Sequence, residues 1–171
     1  MDISQHVSPG QWCSFWDEEG VHVGYLLGSN SNFSLFALAT PQGHDDGLYL
    51  TLTDGVDRIE VSDAYTNRIE ELFSTQKQEK RPVSEDAEEI NDGWFCVQAH
   101  FREEMVTAYL GTGERLTGFV DYVTEETVAL VHIDDEGRED GLFEIEWDDI
   151  VMLQSESAGE RTLTSLYRGK R

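Results

Sequence analysis

The side chains through which this 171-residue chain could do chemistry are five histidines, two cysteines and 35 carboxylates. His6, His22, His44, His100 and His132 stand singly, with no HxH or HxxxH spacing to bring two imidazoles onto one metal, so each reads as a surface or core residue. Cys13 and Cys96 sit beside aromatic residues (Trp12-Cys13, Phe95-Cys96) with no CxxC motif and no neighbouring His, which predicts buried free thiols rather than a disulfide or a zinc site. The densest carboxylate run, Asp134-Asp135-Glu136-Gly137-Arg138-Glu139-Asp140-Gly141, has a composition that hard cations favour. It lacks the alternate ligand spacing and the distal Glu of a calcium loop, and Arg138 interrupts it, so it reads as a solvated turn. No Ser or Cys lies in a nucleophile elbow, and Gly111-Thr112-Gly113 reads as a hairpin turn rather than a phosphate cradle. The aromatics Phe15, Trp16, Tyr25, Trp94, Phe95, Phe101, Tyr109 and Phe143 could stack nucleic-acid bases, but most fall at strand positions, which favours core packing. A non-enzymatic protein without metal or cofactor is expected.

The formal net charge of -23 comes from 35 acidic and 12 basic residues. It is spread along the chain: residues 1-75 carry 2 basic and 12 acidic groups, residues 76-93 carry 3 and 6, and residues 94-171 carry 7 and 17, for nets of -10, -3 and -10. Such a field repels nucleic acid and anionic membrane. Only Lys77, Lys80 and Lys170 are lysines, and a surface poor in Lys and rich in Asp and Glu suits a cytoplasm of high ionic strength. No apolar run approaches the roughly 18 to 20 residues that span a bilayer. Met1 to Gly10 lacks the basic start and apolar stretch of a signal peptide, so a cytoplasmic location is expected.

The elements that would position these residues occur twice. At an offset of 94, residues 21-73 match residues 115-167 without a gap. Eight of the 53 pairs are identical (Gly24/Gly118, Gly43/Gly137, Asp46/Asp140, Gly47/Gly141, Leu48/Leu142, Asp54/Asp148, Ala64/Ala158, Leu72/Leu166), against about three to four by chance. Many other pairs keep their type, such as Tyr25/Phe119, Val56/Ile150, Ile59/Leu153 and Phe73/Tyr167. The reading is a first domain over residues 1-75, a charged linker over 76-93 broken by Pro82, and a second domain over 94-171.

In the second copy, Met105 to Leu110 and Arg115 to Tyr122 make a predicted hairpin around Gly111-Thr112-Gly113, followed by strands at Thr127 to Ile133, Gly141 to Trp147 and Ile150 to Leu153. Gly141 to Trp147 alternates Leu142, Glu144 and Glu146 with Phe143, Ile145 and Trp147, as a half-buried strand would. Ser157 and Glu160 have capping-box spacing, and Leu163, Leu166 and Tyr167 form one apolar stripe, so a helix is predicted from about Ala158 to Arg168. The first copy repeats this with Asp63 at the cap and Ile69, Leu72 and Phe73 on the stripe. Gly24 and Gly118, each inside a second strand, mark the bends of a small barrel.

This series of apolar strands and glycines resembles that of Sm-like proteins, including the bacterial Hfq branch. It is carried in the second copy by Val106 to Leu110, Leu116-Thr117-Gly118-Phe119-Val120, Thr127 to Leu130, Gly141 to Trp147 and Asp149-Ile150-Val151. The resemblance covers about 50 residues of each half. It implies an all-β fold with short helices: two tandem Sm-like, SH3-like five-stranded barrels. Sm-like proteins that hold RNA have an Asp or Asn after the bent strand, where this chain has Asn30 in copy one and Thr124 or Glu125 in copy two. Their basic pair near the last strand is replaced by Thr53-Asp54-Gly55 and Trp147-Asp148-Asp149. Family members usually carry a helix before the barrel, whereas the helices predicted here follow it.

The expected function is therefore an interaction or assembly module that meets a partner protein, or further copies of itself, through barrel edges. An RNA-binding regulator of Sm-like type is the alternative. Its candidate contacts are Asn30 and the basic cluster Arg161, Arg168, Lys170 and Arg171, and the net charge disfavours it.

Overall fold

The computed structural model describes all 171 residues, Met1–Arg171. The chain is mostly β, with antiparallel ladders and three α-helices, and it divides into two compact units, Met1–Ile90 and Asn91–Arg171.

In unit 1, β1 (Trp12–Asp17) and β2 (Gly20–Ser29) form a hairpin closed by Glu18-Glu19, and β3 (Phe33–Ala39) and β4 (Asp45–Leu52) extend it. A 3-10 turn at Thr53–Gly55 then brings the short β5 (Arg58–Glu60) back beside β1. The order is β5-β1-β2-β3-β4. Helix α1 (Ala64–Thr75) follows, with the Asp63 carboxylate accepting from the Thr66 N–H at 3.0 Å, the capping interaction that the sequence predicts. It lies against β1 and β2 and buries Thr66, Ile69 and Phe73. The core packs Phe15 on Phe36 with ring centroids 4.0 Å apart, and Trp12 against Tyr25 and Phe73.

Unit 2 repeats the plan. After α2 (Asp92–Arg102) come β6 (Met105–Leu110), β7 (Arg115–Val123), β8 (Thr127–Ile133), β9 (Glu139–Glu146), a 3-10 turn at Trp147–Asp149, β10 (Ile150–Ser155) and α3 (Ala158–Gly169). The order is β10-β6-β7-β8-β9. The offset of 94 holds register by register: Gly24 faces Leu38 and Gly118 faces His132, and bulges lie at Leu26/Gly28 and Val120/Tyr122, then at Ala37/Ala39 and Val131/Ile133. Gly43 and Gly137 both have φ of +80°, and a Cβ at either would lie within 2.7 Å of the following helix, at Leu72 or Leu166. The first hairpin differs, because unit 2 has one extra turn residue: Trp16 faces Val21, but Tyr109 faces Arg115.

Three features depart from the sequence reading. Within each unit the two end strands, β4 and β5 or β9 and β10, do not meet, so the expected five-stranded barrels are not closed by hydrogen bonds. In unit 1 the returning strand is only three residues long and is fully used in pairing with Ser14–Trp16. Helix α2 is not anticipated, because Gly93, Trp94, Phe95 and Val97 are weak helix formers. It forms because Asn91 caps it, its side chain accepting from the Trp94 N–H at 2.8 Å, and because Phe95, Cys96 and Ala99 bury one face. Finally, much of 76–93, read as a linker, lies along unit 1. Arg81 makes a two-pronged ion pair with Asp45 at 2.8 and 3.0 Å, the Ser84 N–H donates to Leu27 O at 2.8 Å, and Ile90 is buried.

Candidate functional site

Gly24 and Gly118 sit where two strands come closest. A Cβ at Gly24 would lie 2.0 Å from the Ala37 carbonyl oxygen, and one at Gly118 would lie 2.1 Å from that of Val131, so backbone fills the space of a side chain at both. These two positions are structural.

Asn30 has no capacity left for a nucleotide. Its amide nitrogen donates to the carbonyls of Ala87 and Ile90, both at 2.8 Å, and its oxygen accepts from the N–H groups of Asn32 and Phe33 at 3.0 and 2.9 Å. It fastens the 87–90 segment to the β2–β3 turn. The basic cluster is on α3 and the residues after it. Arg171 lies over the Tyr167 ring, 4.7 Å from its centroid, and 3.7 Å from Glu139, and Arg168 lines a cleft of about 430 Å³ with Glu103, Glu104 and Glu139. Carboxylates thus stand beside Arg168 and Arg171.

The carboxylate-rich turn is organised by its own backbone. Asp134 accepts from the N–H groups of Glu136 and Arg138, both at 2.9 Å, which hold its carboxyl below the usual range, and no group of three or more His, Cys, Asp or Glu converges as a metal centre. Cys13 and Cys96 are buried free thiols; burial pushes Cys13 up to about 12 and raises Cys96 as well, so neither is a thiolate at neutral pH.

One buried polar network escapes sequence reasoning. Asp17, 8% exposed, accepts from the Tyr49 hydroxyl at 2.6 Å and the His22 Nε2–H at 3.0 Å. Desolvation pushes this carboxyl up, but the bonds from His22 and Tyr49 outweigh it and the net shift is downward. No Ser or Cys stands beside His22 in these contacts, and the network ties the β1–β2 hairpin to β4.

Because the two copies share a backbone plan, the places where unit 2 differs from unit 1 are informative. The first is β9. Its counterpart β4 has five consecutive buried residues, Gly47–Thr51, whereas β9 buries only Ile145 and leaves Leu142 and Phe143 56% and 40% exposed. β9 ends the strand order, with β8 as its one ladder partner, and carries Glu139, Asp140, Glu144 and Glu146 with no basic residue.

The second is the concavity between the last helix and the sheet. In unit 1 it is about 150 Å³ and its lining includes Val21, Val23, Leu38, Pro41 and Tyr65. The positions 94 residues on, Arg115, Thr117, His132, Asp135 and Gly159, line a groove of about 760 Å³ in unit 2. α3 buries only Glu160, where α1 buries three side chains, and the apolar Leu163 and Leu166 line the groove instead. The groove mixes an apolar side, from Ile133, Leu163 and Leu166, with several polar groups. Thr107 and Thr117 share a hydroxyl bond of 2.8 Å, the Tyr109 hydroxyl donates to Gln154 at 2.7 Å, and the Arg115 guanidinium lies over the Tyr109 ring at 4.8 Å. His132 Nδ1 is 3.0 Å from the Thr117 carbonyl, so that nitrogen carries the hydrogen and Nε2 is left as the ring's second polar atom.

No helix is long and apolar enough to cross a membrane. No protein-family model matches the chain, and a search of curated proteins finds no similar sequence.

Proposed function

We propose that this chain is a non-enzymatic interaction module of two Sm-like units, and that it takes a partner protein by strand addition at β9. The observation that carries the reading is that β9 ends the strand order with β8 as its one ladder partner and is exposed at seven of eight residues. An exposed strand edge presents unpaired N–H and C=O groups that an extended segment can complete, with side-chain contacts supplying specificity. Four carboxylates on β9, within a field of -23, select a partner segment rich in Lys and Arg alternating with apolar residues that cover Leu142 and Phe143. The Sm-like assignment is supported by the strand order common to both copies, by the close backbone approach at Gly24 and Gly118, and by α2, which precedes its sheet where Sm-like proteins usually carry a helix.

The test uses the full chain and fluorescent model peptides. An alternating Lys-Val peptide is expected to bind, with affinity falling as salt rises and lost on Leu142→Lys/Phe143→Lys. A Lys-Pro peptide of equal charge, unable to build a ladder, is expected to bind at least tenfold more weakly. Equal binding of the two peptides would reduce the interaction to bulk electrostatics and overturn the reading. Sedimentation of the chain alone at low and high salt checks the other occupant of the edge: dimers or rings that form as charge is screened, and are lost in the same double variant, would make a second copy the partner.

A further inference from the structure

Helix α2 has two apolar faces, and its own unit buries one of them. Phe95, Cys96 and Ala99 form the buried stripe, on the side where α2 lies against β6, β7 and β10. Trp94, Val97 and Phe101 fall at i, i+3 and i+7 and form a second stripe on the opposite side of the helix. Trp94 and Val97 are half-buried, whereas Phe101 is 78% exposed, more than any other large apolar side chain of the protein. Trp147 lies beside the first turn of this stripe, where a Cβ at Gly93 would stand 3.9 Å from its Cζ2. A Phe held outward in this way adds nothing to the core of its own unit, and contiguous apolar surface of this kind marks a contact with another molecule.

The charges on and around α2 point to a second copy of this chain as the occupant. The outer stripe carries no carboxylate, in a chain of net charge -23. A second copy is repelled wherever carboxylates face carboxylates, so it can approach at a face that lacks them, while a basic partner gains no attraction there. The two ends of the helix carry opposite charges. At the N-terminal end, burial and then the neighbouring charge of Asp148 push the Asp92 carboxyl up, and neither carboxylate has a cationic partner. At the C-terminal end, Arg102 is exposed and makes no ion pair. If two α2 helices lie antiparallel about a two-fold axis beside Val97 and Gln98, Trp94 of each meets Phe101 of the other, and Arg102 of each comes within one residue of the other's Asp92. Antiparallel helix dipoles favour the same orientation.

We propose that two copies of this chain pair through the outer faces of antiparallel α2 helices, with Trp94 and Phe101 interleaved across the axis and Arg102 of each copy closing on Asp92 and Asp148 of the other. A helix of 11 residues is about 16 Å long, so the pair buries less than the roughly 800 Å² per partner of a stable interface, and the dimer is weak. Repulsion between the two copies acts at long range and apolar contact at short range, so salt strengthens the dimer.

The experiment is sedimentation velocity of the full chain between about 10 and 500 μM, in about 0.15 M and about 1 M salt. A reversible monomer to dimer transition is expected, shifted to lower concentration by salt. Phe101→Glu is expected to weaken it at least tenfold with the far-UV circular dichroism unchanged, since the side chain it replaces is exposed. Arg102→Asp is expected to weaken the dimer up to about fivefold, and Arg102→Asp/Asp148→Arg to restore it. Leu142→Lys/Phe143→Lys, which removes the apolar contact of β9, is expected to leave the dimer intact, so this result and that of the peptide assay stand apart. A chain that stays monomeric at the highest concentration in both salts would overturn the proposal. So would a dimer that survives Phe101→Glu, one lost in the β9 double variant, or a charge exchange that restores nothing.

Discussion

Replacing Gly118 by Ala should be among the most damaging single-methyl additions this chain can suffer. The new Cβ would lie 2.1 Å from the Val131 carbonyl oxygen and 2.8 Å from its carbon, and both atoms belong to a strand pinned on its other side by β9. Overpacking against yielding side chains costs about 1 to 3 kcal/mol. Here the obstruction is backbone, so relief requires β7 and β8 to separate. Gly118 faces His132 in the ladder, and opening there also weakens the Nδ1 hydrogen bond from His132 to Thr117. A loss of at least about 3 kcal/mol is expected, the upper end of that range. Gly159→Ala is the control. It lies in α3 with ordinary 3.6 Å contact to Ser157 Oγ, and Ala should gain about 0.5 to 1 kcal/mol there. Urea unfolding followed by tryptophan fluorescence and by far-UV circular dichroism measures both. A Gly118→Ala midpoint equal to that of the unsubstituted chain would refute the close-approach argument, and with it the structural role given to Gly24.

Asn30→Ala should cost about 2 kcal/mol, because four hydrogen bonds are lost, among them those that hold the part-buried carbonyls of Ala87 and Ile90; a stability unchanged by denaturant titration would return Asn30 to the ligand-contact candidates. Asp17→Asn should destabilise the chain by about 2 kcal/mol at neutral pH. The folded carboxyl of Asp17 titrates below its unfolded value of about 3.9, so its contribution is complete above that pH and is lost as pH falls through the lower folded value. The variant should therefore show a shallower acid limb in stability measured from pH 6 to 2, and parallel limbs would refute the assignment. Both thiols should stay silent toward a disulfide reagent at pH 8 and react together on unfolding, whereas rapid labelling of either in the native chain would contradict the burial that raises them. Tryptic cleavage after Lys80 should be slow relative to cleavage after Lys170, since Lys80 lies over the Tyr25 ring and the N–H of the Arg81 that follows it donates to the Tyr25 hydroxyl at 2.7 Å.

The duplication, most strands, and the helices α1 and α3 follow from the chain itself, because each rests on short-range chemistry. The Gly111-Thr112-Gly113 turn sets one hairpin, Asp63 starts a helix, and a glycine at 24 and again at 118 marks where two backbones crowd. Registers fixed by turns and period-two patterns carry over at a constant offset, so one half predicts the other. Helix α2 is less legible: Asn91 signals its start, but tertiary burial of Phe95, Cys96 and Ala99 stabilises it against weak local propensity.

Three properties are decided only by the assembled structure. Alternation in 141–147 specifies that one face of β9 could be covered, and burial of Ile145 alone shows how little is. Asp17, His22 and Tyr49 lie on three strands and converge only when β1, β2 and β4 take their places. The groove needs Tyr65 and Gly159 to be read as occupants of one position, and its signal, the loss of apolar type at Leu38/His132 and Val23/Thr117, is present in the internal alignment as mismatches rather than matches. Sequence determines what is local: turns, caps, strand period and repeated order. Coverage of an edge and emptiness of a cavity depend on side-chain volumes brought together from distant segments, and only the folded chain adds those volumes up.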